Sequence, residues 1–471
     1  VGSGIAAAAV AALHGAIPFH GLKLLPVPLA LATQGAALMA LLLARARSGA
    51  AFAMLAGALA GLAALARAEM LLFVPVAAIA VWTKGPRGPA RAALVLGAAC
   101  LVILPATVHN AREGGFVPIA SSGGDNLFVG NQRGATGAVG ALDPRAGDLF
   151  SMRALSRRLA EESAGRPLNP AQVSSHWARR ALHEIAADPG AWGVLLGRKL
   201  LRVLHPGDPT DLYSLPLERG LYLPLLQPLR LTAWPLLALA CLGLAWSWRA
   251  RSLSRAWPVA ALAGCQLVAL LLFFVSTRLR LPLFYALAPF AGHALAQGAT
   301  AWRAQRSLRP GLALAGAGVA GLLLAGAAFE HPAARDRLRL ASVLSIERRL
   351  DEGLQALVPC TGADADALCL DQQGWLLERQ GKLGPAADAY RDAVRLGLPP
   401  GRLASTQSRL AGVLERLGQI DDAARAHDAA VLDPAGGAGA YLERARFRAR
   451  RGDLGGARED LAEAKRLEPP P

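Results

Sequence analysis

Two blocks of the chain consist of long apolar runs divided by short polar connections. A polar, helix-periodic region lies between them and another follows them. A bilayer core of roughly 30 Å needs about 20 apolar residues when crossed as helix. On that measure nine runs are predicted spans: Gly4–Phe19, Leu25–Leu43, Ala50–Ala66, Met70–Trp82, Ala92–Val108, Leu231–Trp246, Trp257–Val275, Leu281–Leu295 and Leu312–Phe329. Val1 already lies in an apolar run, with no start methionine and no basic leader, so the chain reads as a piece whose natural start lies upstream.

Between the blocks, His109–Gly137 is polar and rich in glycine, which permits tight turns and close approach to a ligand. It reads either as a functional surface loop or as a plain connection. Amphipathic helices are predicted over Ser151–Ala164, Ala171–Ala187 and Trp192–Leu204, with Trp177, Ala181 and Ile185 spaced for one face. His205–Leu215 reads as turns.

After Glu330 a repeat appears. Gly381, Ala386, Tyr390 and Ala393 recur as Gly418, Ala423, His427 and Ala430, and again as Gly452, Ala457, Leu461 and Ala464. The offsets of 5, 9 and 12 from the glycine are the same in all three copies, and Pro399, Pro434 and Pro469 follow. The glycine suits an inter-helix turn, the alanines let paired helices approach, and the ninth position fills the space between them. This resembles the tetratricopeptide repeat over about 366–471, with His427 and Leu461 in place of the usual aromatic. The resemblance implies helix pairs stacked into a solenoid with a partner-binding concave face. The expected fold class is therefore all-α: a transmembrane helix bundle with a helical outer loop and a C-terminal repeat solenoid. Its predicted regions are 1–108, 109–220, 221–329, a helical linker over 330–365, and 366–471.

Composition agrees with this picture. Of 471 residues 53% are hydrophobic and mean hydropathy is +0.33, too apolar for one soluble domain. The excess behind the formal charge of +16 is almost all arginine, much of it bracketing apolar segments, which fits membrane topology and argues against nucleic acid as a partner. One set of alternate short connections carries Arg45, Arg47, Lys84, Arg87, Arg91, Arg249, Arg251, Arg255, Arg303, Arg306 and Arg309. The other carries Lys23, Arg67, Arg278 and Arg280, a ratio of 11 to 4. The richer set is expected in the cytoplasm, which places the glycine-rich loop and the C-terminus on the opposite, periplasmic side of a bacterial inner membrane. Cys100, Cys241 and Cys265 lie in apolar segments, while Cys360 and Cys369 can pair in an oxidising compartment or remain thiols.

The predicted spans are nearly free of polar side chains apart from Gln34, Gln266 and His293, and polar residues gather at the outer ends. That favours a site at the outer leaflet, for a substrate with a polar head and a lipid tail, over a channel. The order GAIPFHGLKLLPVPLA, AGLAALARAEMLLFVP, GGFVPIASSGGDNLFVGNQRGATG and STRLRLPLFYALAPFAGHAL is similar to the multi-span glycosyltransferases of the C-type fold, family 39, over about Ile5–Leu295. These are relatives of the protein mannosyltransferases and aminoarabinose transferases. The resemblance implies transfer of a sugar from a polyprenyl-phosphate-linked donor to an acceptor on the non-cytoplasmic face. Its general-base carboxylate is expected upstream of Val1, so no catalytic residue is assigned here. Metal use varies among subgroups; no metal ligands are assigned and no cofactor is identified.

The same resemblance implies that Arg278 and Arg280 hold the carrier phosphate, although arginines at a helix end also serve topology. Arg67 and Glu69 match an Arg-Pro-Glu-like span end, with Ala68 in place of proline, and either pair with each other or orient the site. His109 and Asn110 stand where the family often has Arg-Asn. Asp125, Asn126 and Asn131 suit sugar or acceptor contact and equally suit turn-making. The expected partners are the lipid-linked donor, membrane lipid and a protein on the repeats. The rival readings are a membrane-anchored repeat scaffold and a lipid-linked glycan polymerase or ligase.

Overall fold

The computed structural model describes residues 2–23, 25–47, 49–83, 85–140, 142, 149–205, 233–305, 316, 333–362, 365–399, 402–433 and 436–467. The chain divides into two compact units, Val1–Leu142 with Leu149–Phe329, and a second that contains Glu330–Pro471.

The first unit holds α1 (Gly2–Leu13), α2 (Ala16–Gly21), α3 (Pro26–Arg47), α4 (Ala50–Ala66), a 3-10 turn (Ala68–Leu72), α5 (Phe73–Trp82) and α6 (Gly88–Gly114). It continues with α7 (Gly123–Asn131), α8 (Leu149–Ala164), α9 (Pro170–Ala187), α10 (Pro189–Leu204), α11 (Ala233–Arg249), α12 (Leu253–Leu272) and α13 (Thr277–Gln305). Among the described residues there is no strand; Ala138 and Val275 make one isolated bridge.

Three described helices are long and apolar enough to cross a membrane: α3, α6 and α12. The expectation of nine spans is corrected accordingly. The runs at the N-terminus and at Ala50–Ala66 form apolar helices of 12 and 17 residues, shorter than those three. Met70–Trp82 breaks into the 3-10 turn and a 10-residue helix after Arg67, which sits in extended backbone. Helix α11 has 17 residues, and α13 is long but diluted by Pro282, Tyr285, Pro289, His293 and Gln297. Leu312–Phe329 and the turns predicted after His205 lie outside the described residues, Gly316 apart.

Apolar helices pack here through small residues, because lipid offers little hydrophobic drive for helix association and backbone proximity must supply van der Waals contact instead. Helix α4 packs on α3 and α6, α1 and α11 pack on α13, and alanine dominates the shared core. At Gly57 a Cβ would overlap the Val95 carbonyl of α6, and one turn on, at Gly61, it would stand 2.8 Å from the Ala99 oxygen. Gln34, buried within α3, donates through Nε2 to the Pro282 carbonyl of α13 at 3.2 Å. It thus satisfies one polar group in an otherwise apolar interface.

The glycine-rich stretch is not one loop. Helix α6 runs through His109 to Gly114, and α7 occupies Gly123–Asn131. Helix α7 packs on α9, where Val173, Trp177 and Ala181 form the buried face with Phe128, while Ile185 is only half-buried.

The second unit holds α14 (Ala333–Ile346), α15 (Leu350–Leu357), a 3-10 turn (Val358–Cys360) and three helix pairs. These are α16 (Ala367–Arg379) with α17 (Leu383–Leu396), α18 (Arg402–Arg416) with α19 (Ile420–Leu432), and α20 (Gly437–Arg450) with α21 (Leu454–Leu467). Segment 330–365, expected as a linker, contains α14 and α15 packed on each other and on α16. The repeat glycines Gly381, Gly418 and Gly452 take φ of 76°, 77° and 83° at the turns, conformations that side chains with a Cβ resist.

Tyr390 is fully buried against Leu410, Val413 and Leu414 of α18, with its hydroxyl donating to Glu378 at 3.0 Å. His427 is buried beside Phe447 of α20. Leu461, the third ninth-position residue, is 43% exposed, against expectation, since no described helix packs beyond α21. Pro434 and Pro469 lie outside the described residues. A disulfide joins Cys360 to Cys369, whose Cα atoms are 6.0 Å apart, and ties the 3-10 turn to α16.

The packing of α4 makes a direct comparison. Gly57→Ala forces two backbones apart and is expected to cost about 1–3 kcal/mol. Gly97→Ala, whose Cβ meets nothing within 4 Å, is expected to be neutral or slightly stabilising. Thermal unfolding in detergent checks this; equal shifts for the two variants would contradict the close-approach account.

Candidate functional site

Three stretches far apart in sequence line one cleft of about 130 Å³: Ala68 and Glu69 of the 3-10 turn; Ala120, Ser122, Gly123 and Asn126; and Gln266 to Leu279 across the α12–α13 junction. One side is apolar, formed by Ala269, Leu270, Phe273, Phe274 and Leu279. The polar groups are the side chains of Glu69, Ser122, Asn126 and Gln266.

The extended backbone at Arg67 ends α4 and turns Glu69 toward the cleft. Arg67 Nε bonds Oε1 of Glu69, and Nη1 donates to the Arg278 carbonyl at 3.4 Å. The ion pair is largely buried, so it holds the carboxylate in one orientation and leaves Oε2 to receive a hydroxyl or water. Gln266 is buried on α12 and donates through Nε2 to the Met70 sulfur at 3.1 Å, which joins α12 to the 3-10 turn. A carboxylate, a hydroxyl and two carboxamides facing two phenylalanines suit a ligand that is polar at one end and apolar along its length.

The other sequence-predicted residues serve the walls. His109 is exposed on the last turns of α6 and does not line the cleft. Asn110 donates through Nδ2 to the carbonyls of Val117 and Ile119 at 3.1 and 2.9 Å, folding the segment that carries Ala120 back over α6. Asp125 points away from the cleft and accepts from Ser156 of α8 at 3.0 Å. Burial raises its carboxyl above the ordinary carboxylate value, with the Ser156 hydrogen bond opposing. Asn126 is exposed at the cleft.

Asn131 is buried and fully engaged. Its Nδ2 donates to the Leu127 and Leu272 carbonyls at 2.8 and 2.7 Å, and its Oδ1 accepts from Trp192 Nε1 and Lys199 Nζ at 3.0 and 2.9 Å. Arg280 is buried too, its guanidinium 5.3 Å from the Phe284 ring centroid, and Nη1 serves the carbonyls of Arg202, Val203 and His205 at the end of α10. Of the basic pair, then, Arg280 caps a helix end and Arg278 contributes a carbonyl beside the cleft.

From the sequence Lys199 reads, with Arg198 and Arg202, as a basic residue held near the membrane by the third amphipathic helix, and not as a site residue. Its ammonium is fully buried, donating to Asn131 and to the Leu271 carbonyl at 2.9 Å, in the last turn of α12. A positive group at a helix C-terminus is favoured by the orphan carbonyls there. The available signal was its place between Leu195 and Val203 at spacing four, on a face that is otherwise apolar. Gly130 completes the clamp: a Cβ there would overlap the Phe273 carbonyl, so only glycine lets α7 lie against the junction. The clamp sets the spacing of the cleft walls, since α7 and the α12–α13 junction supply both. Among the described residues no group of three histidine, cysteine, aspartate or glutamate side chains is placed to hold a metal.

In the second unit a groove of about 470 Å³ runs along the first helix of each pair, lined by Glu378, Ser405, Ser408, Arg409, Gly412 and Glu443 among others. A family model for a tetratricopeptide repeat-like domain matches residues 327–402, which takes in α14 to α17 and begins earlier than the repeat spacing suggested. No curated protein matches the chain.

Burial without a carboxylate partner pushes Lys199 down from 10.5 to about 8. Between those values the unfolded chain holds a proton that the folded one has released, so stability rises with pH from about 8 to 10.5. The gain is fully present above the unfolded value and is lost as pH falls through about 8. Thermal melts of the native protein and Lys199→Met across this range should diverge, with the native protein alone gaining. Parallel curves would refute the buried-charge assignment.

Proposed function

We propose that the chain is part of an integral membrane glycosyltransferase that moves a sugar from a polyprenyl-phosphate carrier to an acceptor on the periplasmic face of a bacterial inner membrane. The observation that carries this reading is the convergence on one cleft of three stretches that resemble family 39: RAEM at Arg67–Met70, the glycine-rich segment, and STRLRL at Ser276–Leu281. The cleft is bordered by the end of α12, a helix long and apolar enough to span, and is apolar on one side and polar on the other. In this reading the isoprenoid lies along Phe273, Phe274 and Leu279, and the sugar hydroxyls meet Glu69, Asn126 and Gln266. Arg278, at the cleft border, faces the carrier phosphate. Arg67 keeps the Glu69 carboxylate turned toward the sugar. The disulfide in the second unit supports an oxidising compartment for the repeats.

A second reading is favoured by the groove of the repeat unit. Its glycines and serines leave room for an extended segment, while Glu378, Arg409 and Glu443 offer charges of both signs. In that reading the membrane part anchors a scaffold that holds a protein partner of the cell envelope.

The two readings separate on ligand binding. A photoreactive polyprenyl-phosphate sugar should label the full chain in membranes, and Ala269→Trp, which fills the cleft, should abolish labelling. Leu101→Trp, on the exposed side of α6, should leave it intact. Labelling that is absent, or indifferent to Ala269→Trp in folded protein, would eliminate the transferase reading in favour of the scaffold. For orientation, a cysteine at Gly412 should react with an impermeant reagent added outside spheroplasts. Reaction only after permeabilisation would overturn the periplasmic placement.

A further inference from the structure

Helix α10 lies outside the three spanning candidates, yet its outward side carries large apolar side chains. Leu195, Lys199 and Val203 form the buried face. On the opposite side Val194 and Leu201 stack two turns apart, each 58% exposed, with Leu200 at their flank at 40%. Gly193 and Gly197 lie on the same side and have open space around them. The charged residue on this outer face is Arg198, which is exposed. Helix α8 of the same unit behaves oppositely: its exposed side carries Arg157, Arg158 and Glu162, each at least 60% exposed. Water accounts for the outer face of α8; it does not account for that of α10.

The position of α10 indicates what does. Lys199 bonds the last turn of α12, and Arg280 in the first turn of α13 bonds the C-terminal carbonyls of α10. Val203 belongs to the core shared by the apolar helices. Helix α10 therefore lies across one end of α12 and α13, at the level where α12 leaves the membrane if it spans. An exposed apolar face on a helix bonded to the end of a spanning helix suits lipid, and an arginine on that face can reach phosphate groups.

We propose that α10 is seated in the lipid headgroup layer, with Val194, Leu200 and Leu201 against acyl chains and Arg198 directed to lipid phosphates. This rests on the membrane placement of α12 but not on the identity of any ligand in the cleft. The helix forms a lipid-bound rim next to the clamp that spaces the cleft walls, so a ligand entering from the bilayer would pass an apolar surface rather than water. Burial to about 5–10 Å is the depth expected of such a helix.

The test uses the full chain with Cys100, Cys241 and Cys265 replaced by alanine and the disulfide retained. Single cysteines at Val194, Leu201, Glu162 and Leu101 carry a bimane label in phosphatidylcholine–phosphatidylglycerol vesicles, with or without lipids brominated near the headgroup end of the acyl chain, or near its far end for Leu101. Leu101, 69% exposed midway along α6, reports membrane insertion, and Glu162 reports water. Severalfold stronger quenching at Val194 and Leu201 than at Glu162 is expected. Quenching at Leu101 with none beyond the Glu162 level at Val194 and Leu201 would overturn the proposal while leaving the spans in place. Cross-linking of Val194 between copies without quenching would overturn it in favour of a protein interface. No quenching at Leu101 would remove the membrane placement and this proposal together, leaving the cleft's ligand to be judged by photolabelling.

Discussion

A helix that ends among apolar neighbours leaves carbonyl oxygens that water cannot reach, and each must find a donor from elsewhere in the chain. The first unit is organised around two such ends. The carbonyls of Leu271 and Leu272 close α12 and take Lys199 and Asn131. Those of Arg202, Val203 and His205 close α10 and take Arg280. The two cappings interlock, because Lys199 belongs to the helix whose end Arg280 caps, and Arg280 opens the helix that follows α12. Removing any of the three side chains leaves a buried carbonyl with one donor fewer, at a cost of about 1–3 kcal/mol for a group left unsatisfied.

This arrangement recasts the polar residues of the glycine-rich segment. Asn110, Asp125 and Asn131 are types that bind hydroxyls, and each turns to the protein: Asn110 to Val117 and Ile119, Asp125 through Oδ2 to Ser156, and Asn131 to Leu272, Lys199 and Trp192. Asn126 and Glu69 are left to face the cleft. The glycines divide in the same way. Gly124 and Gly130 bring α7 against the backbones of Ser174 and Phe273, so their lack of a Cβ serves packing and only indirectly a ligand.

The repeat unit follows a different logic, in which each helix pair covers the previous one. Tyr390 and His427 share a repeat position and are both buried, one bonded to Glu378 and the other against Phe447. Gly374 accommodates the Tyr390 ring, where a Cβ would come within 2.7 Å; Ala411 and Ala445 occupy the same place, seven residues before the turn glycine, in the next two pairs. Asp371 and Asp460 are buried acids with arginine partners, Arg402 on the next pair for the first and Arg444 on the same pair for the second. Buried carboxylates of this kind need their partners in place, so they fix register rather than add much stability.

The sequence by itself determined the helical class, the apolar runs, the three turn glycines with their offsets and the amphipathic faces of α8 to α10. These are local properties, written in periodicity and in what glycine alone can adopt. It also brought forward Glu69, through resemblance, and Asn126, through its side-chain chemistry, and both line the cleft. Whether a predicted run forms one helix of spanning length was decided by the backbone: Met70–Trp82, one run in the sequence, is the end of a 3-10 turn followed by a ten-residue helix. The partners of Arg280, Asn131 and Lys199 were decided only by tertiary structure. A hydrogen bond such as that from Lys199 to Leu271 joins residues 72 apart, and no local pattern encodes which carbonyl a buried donor will meet.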